Sequence, residues 1–165
     1  DLEENNALRT DPLNPFLQTQ TGTKKSRGVE FQANHNLQDD LSLVASFSYA
    51  TAELSGENFQ TAGIPKYTAS FFGTKTVELT SDVKLRLGGG VRYQGKQTSR
   101  SGAFIVTSPS YTLVDALAAF DYKAWTLQFN AVNLFDERYY PGCSAFGSCA
   151  NGEPRTVQGT LTYRF

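Results

Sequence analysis

The chain has 165 residues and a formal net charge of −1, so it lacks the basic surface that binds nucleic acid. No stretch approaches the ~20 apolar residues of a membrane helix, and the acidic opening residues Asp1, Glu3 and Glu4 do not resemble a signal peptide. We therefore expect either that a signal was removed or that the chain starts internally. The mean hydropathy of −0.37 is compatible with a transmembrane β-barrel, because apolar and polar residues alternate along barrel strands.

Period-2 alternation dominates the chain and predicts seven strands, at 26–37, 41–53, 66–79, 83–94, 111–122, 126–134 and 156–165. The clearest is 83–94, where Leu85 and Leu87 alternate with Lys84 and Arg86. Soluble strands average about 5–6 residues, whereas a tilted strand that crosses a bilayer needs about 9–11. Because most of the predicted strands reach ten residues, their length favours a transmembrane barrel. A soluble β-sandwich binding module remains the alternative.

The two faces of the predicted strands differ in chemistry. One face carries aliphatic residues and alanine, with aromatic rings near the strand ends, which is typical of a lipid-facing band with an aromatic girdle. The other face carries charges in mid-strand: Glu30, Lys84, Arg86, Arg92, Asp115 and Asp121. We expect these charges to pair across strands or to bind a domain inside the lumen. The run Gly88-Gly89-Gly90 is predicted to let such a domain, or lipid, approach closely.

Short and long links alternate along the chain. Tight turns at 38–40, 80–82 and 123–125 are separated by long links at 54–65, 95–110 and 136–155. Outer-membrane barrels have short periplasmic turns and long outer loops. Following the strand directions from the first turn, we expect Phe165 at the periplasmic end and residues 1–25 to be the tail of an outer loop.

The predicted strand count suggests a fragment. Bacterial single-chain barrels usually have an even number of strands, and a seven-stranded sheet would leave two unpaired edges in lipid. The sequence therefore predicts an all-β, antiparallel transmembrane β-barrel, of which residues 1–165 form a C-terminal arc of about seven strands.

Six stretches, in chain order, resemble the C-terminal barrel strands of TonB-dependent outer-membrane siderophore receptors, most of all the ferrichrome-type branch. They are LRTDPLNPFLQTQTGTKKSRGVEFQANHNL, AGIPKYTASFF, GGGVRYQG, YTLVDALAAFDY, VNLFDERYY and EPRTVQGTLTYRF. The resemblance implies a barrel of about 22 strands with a plugged lumen. It further implies a receptor in the bacterial outer membrane that binds and imports a ferric siderophore, with iron present only as cargo and no resident cofactor. The TonB complex would act through a plug domain that this chain lacks.

The two cysteines, Cys143 and Cys149, lie six positions apart in the last long link. In an oxidising compartment, two nearby cysteines favour a disulfide. A metal site would need further ligands, and the only histidine, His35, lies far away in the sequence. We expect a disulfide that pins this outer loop.

Aromatic residues in the long links are the candidates for ligand contact, because rigid rings give contact area at little conformational cost. They are Phe59, Phe104, Tyr111, Tyr139, Tyr140 and Phe146. The resemblance implies a ligand-contacting aromatic directly after the first loop cysteine. This sequence has Ser144 there, so Phe146 is the candidate in its place. Tyr139 and Tyr140 could equally be girdle residues.

The chain ends in an alternating strand with Tyr163 and Phe165. The resemblance implies that the barrel assembly machinery recognises this terminal aromatic strand. No nucleophile, base and orienting group come together in the sequence, so we expect no catalytic residues. A porin or a barrel enzyme remains the alternative within the outer membrane, and vitamin B12, haem or a sugar the alternative cargo.

Overall fold

The computed structural model describes residues 1–11, 13–14, 16–37, 40–54, 63–101, 104–144 and 146–165. Within these ranges the chain forms twelve β-strands: β1 (Leu2–Thr10), β2 (Gln18–Leu37), β3 (Leu41–Leu54), β4 (Tyr67–Thr80), β5 (Val83–Gln94), β6 (Gln97–Ser101), β7 (Phe104–Ser108), β8 (Tyr111–Tyr122), β9 (Trp125–Val132), β10 (Gly142–Cys143), β11 (Cys149–Ala150) and β12 (Thr156–Tyr163). In the described ranges, no helix is both long enough and apolar enough to cross a bilayer.

Eight strands form one antiparallel sheet in the order β1-β2-β3-β4-β5-β8-β9-β12. The remaining strands pair as two small hairpins, β6 with β7 and β10 with β11. In the described part of the chain no second sheet covers the large one, and Leu87 and Phe129 each remain 48% exposed. The β-sandwich alternative is therefore wrong.

The links divide between the two ends of the sheet as predicted. Ser81 and Asp82 join β4 to β5, and Lys123 and Ala124, with Lys123 at φ 52°, join β8 to β9. The two small hairpins lie in the long links at the opposite end. We call these ends the turn end and the long-loop end. Of the predicted turn at 38–40, residues 38 and 39 lie outside the described residues.

The predicted strand count of about seven is corrected to eight strands in the large sheet that the described residues form. Residues 1–25 do not form a loop tail: β1 pairs with residues 18–26 of β2, and a connection at 11–17 joins the two strands. The link at 95–110 likewise contains a hairpin, β6–β7. Strand β2 begins at Gln18, eight residues before the predicted start at 26, whereas the other six predicted strands begin and end within two residues of their predicted bounds.

The register places the predicted apolar rows on one face of the sheet. Residues directly opposite each other share a face, and one continuous row joins Phe71, Val91 and Val114 across three strands. A second row joins Leu87, Ala118 and Phe129. This apolar face is largely exposed, far beyond the patch size usual for a soluble monomer.

Aromatic rings border the apolar face at both ends. At the long-loop end the rings of Tyr49 and Tyr67 lie 5.0 Å apart. At the turn end the rings of Trp125 and Tyr163 lie 4.6 Å apart, and Tyr163 lies 6.1 Å from Phe165. The predicted girdle is therefore present as two bands.

On the polar face, charged side chains pair between neighbouring strands. Lys84 Nζ lies 2.7 Å from Glu78 Oε1, and Arg86 Nη2 lies 4.0 Å from Asp121 Oδ2. Asp121 also accepts a hydrogen bond from the Thr126 hydroxyl at 2.6 Å. These pairs confirm cross-strand pairing for part of the predicted set of charges.

The three consecutive glycines do not share one role. Gly88 and Gly90 lie on the polar face beneath the ring of Phe72, and a Cβ at Gly90 would meet that ring and the carbonyl oxygen of Phe71. Gly89 faces the other way, where the nearest atom to an added Cβ is Asp115 O at 3.7 Å. The prediction that the run admits an outside partner is therefore wrong for Gly88 and Gly90, because a ring of the sheet itself fills the space.

Candidate functional site

The long-loop end joins two hairpins from different parts of the chain. The Gln97 side chain donates a hydrogen bond from Nε2 to the Pro141 carbonyl at 2.9 Å, and the Ser99 hydroxyl donates to the Cys143 carbonyl at 2.6 Å. Gln97 and Ser99 are buried, at 7% and 8% exposure. These bonds dock the β10–β11 hairpin onto the β6–β7 hairpin.

Cys143 and Cys149 form the predicted disulfide. The two residues also face each other in the β10–β11 ladder, so the bond closes the hairpin at its last backbone pair. Closure of so short a loop stabilises the folded state by about 2–3 kcal/mol in the chain-entropy model. The tip that carries Phe146 is thus tied at its base.

An apolar cleft lies where the two hairpins meet. Its volume is about 330 Å³, and its lining residues are Phe104, Ile105, Val106, Phe146 and Gly147. Phe104 is 72% exposed and Phe146 is 86% exposed. The structure therefore brings together two of the aromatic residues that the sequence proposes as ligand contacts, although they lie in different long links.

Two further candidates, Tyr111 and Tyr139, form a ring pair with centroids 4.3 Å apart. The Tyr139 ring covers Gly152, where any added Cβ would overlap the ring, and the Gly152 N–H donates to the Tyr139 carbonyl at 2.9 Å. Tyr139 is therefore held between β8 and the end of the last long link. Tyr140 is 46% exposed and lies outside this ring pair. Phe59 lies outside the described residues.

Below this ring pair, Arg92 on β5 binds Asp115 on β8. Arg92 Nε lies 2.6 Å from Asp115 Oδ2, and Nη2 lies 3.0 Å from Oδ1. Asp115 Oδ1 also accepts the backbone N–H of Asn133 at 3.0 Å. With three hydrogen bonds, this carboxylate joins β5 and β8 to the start of the last long link.

Asn133 is the residue that sequence reasoning missed. It is 1% exposed and adopts φ 53°, so the chain leaves the β9 ladder at this point. Its Nδ2 donates to the carbonyls of Glu137 and Glu153 at 2.9 and 3.0 Å, and its Oδ1 accepts the Glu137 N–H at 2.9 Å. The side chain thereby joins both ends of the last long link. The short motif NLFD at residues 133–136 was the signal in the sequence that could have pointed to Asn133.

Asp136, in the same motif, also connects the two ends of the last long link. It adopts φ 56°, and its Oδ1 accepts the backbone N–H of Arg155 at 2.9 Å. This hydrogen bond ties the start of the last long link to its end. In the described part of the chain, no three His, Cys, Asp or Glu side chains converge as metal ligands do.

The sequence matches the family model described as "TonB dependent receptor-like, beta-barrel" over residues 2–134. The chain belongs to this family. Family membership places it in the bacterial outer membrane and confirms the predicted barrel class. The curated relatives are named as receptors or transporters, which agrees with the expectation of a non-enzymatic protein.

Three relatives illustrate the similarity. The metal-pseudopaline receptor CntO of Pseudomonas aeruginosa is 31% identical over 170 residues, covering 99% of this chain and 24% of the receptor. The ferrioxamine B receptor of Salmonella typhimurium is 30% identical, with coverage of 99% and 24%. The ferrichrome outer membrane transporter/phage receptor of Escherichia coli is 32% identical, with coverage of 99% and 23%. The chain thus spans about a quarter of the length of these relatives.

Solved structures share the fold. The pyoverdine outer membrane receptor FpvA from Pseudomonas aeruginosa superimposes with a TM-score of 0.81 at 21% identity, over 99% of this chain and 26% of that one. The siderophore receptor PiuA from Acinetobacter baumannii gives a TM-score of 0.80 at 24% identity, with coverage of 98% and 24%. The eight-stranded sheet therefore matches an arc of these barrels.

Proposed function

We propose that this chain is the C-terminal arc of the barrel of a TonB-dependent outer-membrane receptor that binds and imports a ferric siderophore. The observation that carries the proposal is that its relatives are named after the siderophores they bind or transport. Three receptors that align with 99% of the chain are named for metal-pseudopaline, ferrioxamine B and ferrichrome. Iron would be present only as cargo, bound by the siderophore, with no cofactor resident in the protein.

The edges of the sheet support a larger barrel. β1 pairs only with residues 18–26 of β2, so the edge of β2 at 29–37 has no strand partner on that side among the described residues. β12 likewise pairs only with β9 in that part of the chain. Unpaired backbone groups are not viable in lipid. The remaining strands, the plug and the contact with the TonB complex would lie outside this chain.

The apolar face supports contact with membrane lipid. Strand β5 carries Val83 near one aromatic band and Tyr93 near the other, with only apolar residues or glycine between them on that face. At about 3.3 Å per residue and a tilt near 45°, ten residue steps span about 23 Å, close to the height of about 25 Å of a lipid-facing band. The opposite face, with its ion pairs, would line the lumen.

The cluster at the long-loop end is the part of this chain that would contact the siderophore. Phe104 and Phe146 line its cleft, and Tyr111 and Tyr139 form the ring pair nearby. We include Tyr140 and Phe59 in the same proposal, because both aromatic residues lie in long links of the sequence. Aromatic rings suit a large, rigid cargo because they lose little conformational freedom on binding.

The turn end would carry the assembly signal. Tyr163 is 49% exposed, and Phe165 is fully exposed at the end of the chain. Their position on the apolar side of the last strand supports recognition by the barrel assembly machinery.

An uptake experiment tests this function. The complete receptor that contains this chain is expressed in a bacterium that lacks its own siderophore receptors, and uptake of radioactive iron is measured with a panel of siderophores. We expect uptake of at least one ferric siderophore, and loss of that uptake when TonB is deleted. Uptake that persists without TonB, or vitamin B12, haem or a sugar as the only cargo, would contradict the proposal.

A further inference from the structure

We propose that Lys75 binds the phosphate of a phospholipid head group at the turn end of the apolar face. The proposal rests on the lipid-facing side of the proposed function and adds a specific lipid contact to it. Lys75 lies on β4, four residues after Phe71 and two before Val77, so its side chain is on the apolar face. Between the two aromatic bands, it is the only formally charged residue on this face in the strands that the structure describes.

The register places Lys75 at the level of the lipid head groups. Its Cα partner is Leu41, the first residue of β3, so Lys75 lies beside the β2–β3 turn. His35 of β2, which lies opposite Leu43, brings a second polar side chain to the same face at this turn. A lysine on the lipid side of a barrel is costly at the midplane and tolerated near the head groups, which its long side chain can reach. Short turns are periplasmic, so these head groups belong to the periplasmic leaflet.

Asp40 holds the ammonium of Lys75 in place without enclosing it. Lys75 Nζ forms an ion pair with Asp40 Oδ2, and the backbone N–H of Thr76 donates to the Asp40 carbonyl at 2.7 Å. These two contacts fix the turn against β4, while the Lys75 side chain remains 50% exposed. An ammonium group has three N–H donors, and Asp40 is the acceptor for one of them among the described residues. Lys75 can therefore bind the carboxylate and a phosphate oxygen at the same time.

A phospholipid complements both parts of this surface. Its phosphate carries the charge that lysine attracts, and a basic side chain at a membrane surface adds to the binding of anionic lipid. Its acyl chains would cover the apolar residues farther along the strands, such as Phe47 and Phe71, which are 42% and 46% exposed. A free phosphate ion would make only the first of these contacts.

The test uses two variants that break the same ion pair. Lys75→Gln removes the phosphate donor, whereas Asp40→Asn removes the carboxylate and keeps the lysine. Lys84→Gln is the matched control, because Lys84 also lies near the turn end but on the polar face, where it pairs with Glu78. If the lone carboxylate of K75Q prevents folding, K75Q/D40N takes its place, since it carries no charge at either position.

The complete receptor in mild detergent is titrated with three probes, and native mass spectrometry counts the bound molecules. The probes are dioleoylphosphatidylglycerol, dioleoylglycerol, which has the same acyl chains without the phosphate, and inorganic phosphate. We expect the unaltered receptor, D40N and K84Q to bind the phospholipid about fivefold more tightly than K75Q. Dioleoylglycerol should bind all of them equally, and inorganic phosphate should not displace the phospholipid.

Three results would overturn the proposal. K75Q could bind the phospholipid as tightly as the unaltered receptor. D40N could lose as much affinity as K75Q, which would make Lys75 and Asp40 a structural ion pair only. Inorganic phosphate at the same concentration could displace the phospholipid, which would make a free anion the ligand. Each of these results leaves iron uptake, and so the proposed function, intact, whereas a receptor that imports no ferric siderophore but binds phospholipid as expected would remove the proposed function alone.

Discussion

The carboxylate of Asp115 accepts two hydrogen bonds from the guanidinium of Arg92, at 2.6 and 3.0 Å, across the β5–β8 pair. The same carboxylate holds the backbone of Asn133. Replacing Asp115 with Asn removes the charge and one acceptor, and we expect a loss of about 1–2 kcal/mol, since Arg92 is half exposed. The thermal midpoint of the complete receptor in detergent measures the loss.

The control for this pair is Asp121→Asn. Arg86 lies 4.0 Å from Asp121, and the Thr126 hydroxyl can still donate to an amide oxygen. D121N should therefore lower the midpoint less than D115N. If D121N lowers the thermal midpoint as much as D115N, or more, then the close geometry of the Arg92–Asp115 pair contributes nothing beyond charge.

Asn133→Ala should release the last long link. The change removes three hydrogen bonds made by a buried side chain and leaves the backbone groups of Glu137 and Glu153 without that partner, which we expect to cost about 3 kcal/mol. Limited trypsin digestion of the complete receptor should then cleave faster after Arg138. Asn133→Gly should be slightly less damaging, because glycine adopts the observed φ of 53° without strain. Unchanged cleavage in both variants would show that the link is held elsewhere.

Gly90→Ala and Gly89→Ala form a matched pair on adjacent positions of β5. A Cβ at Gly90 would overlap the Phe72 ring and lie 2.5 Å from the Phe71 carbonyl oxygen, whereas at Gly89 the nearest atom is 3.7 Å away. We expect G90A to destabilise by about 1–3 kcal/mol and G89A to be close to neutral. The yield of folded, heat-modifiable receptor in outer membranes compares them. If the two variants fold equally well, Phe72 does not lie over Gly90.

Leu87→Lys and Gln128→Lys test which face of the sheet meets lipid. Leu87 lies in the same row as Phe129, and Gln128 is the neighbour of Phe129 on the opposite face. A lysine on the lipid side near the midplane costs about 2–4 kcal/mol, whereas lumen positions tolerate charge. L87K should therefore fold poorly into lipid vesicles and Q128K should fold well. The reverse order would place lipid on the polar face.

The disulfide has a direct chemical test. Non-reducing mass analysis of the peptide that contains Cys143 and Cys149 should show two hydrogens fewer than the reduced form, as expected for the bond. The C143S/C149S variant should lose about 2–3 kcal/mol of local loop stability, measured as faster amide hydrogen exchange around Phe146. Exchange elsewhere in the sheet serves as the internal control. Free thiols in the native receptor would contradict the structure.

The sequence alone determined the main strands, their faces and the division between turn end and long-loop end. Side chains alternate with a strict period of 2 in a strand, so a one-residue slip would exchange the apolar and polar faces. The apolar rows at 83–94 and 111–122 therefore exclude pairings that are shifted by one residue, and the structure pairs the two strands with both apolar rows on one face.

Only the tertiary structure decided the features that depend on distant parts of the chain or on broken alternation. β1 escaped prediction because its ladder shifts between Asn5 and Ala7, with Asn6 at φ 62°, and such bulges interrupt the period of 2. Asn133 could not be ranked above other asparagines, because its partners Asp115 and Glu153 lie 18 and 20 residues away in sequence. The cleft needs Phe104 and Phe146 together, and only the folding of two long links onto each other brings these rings to one place.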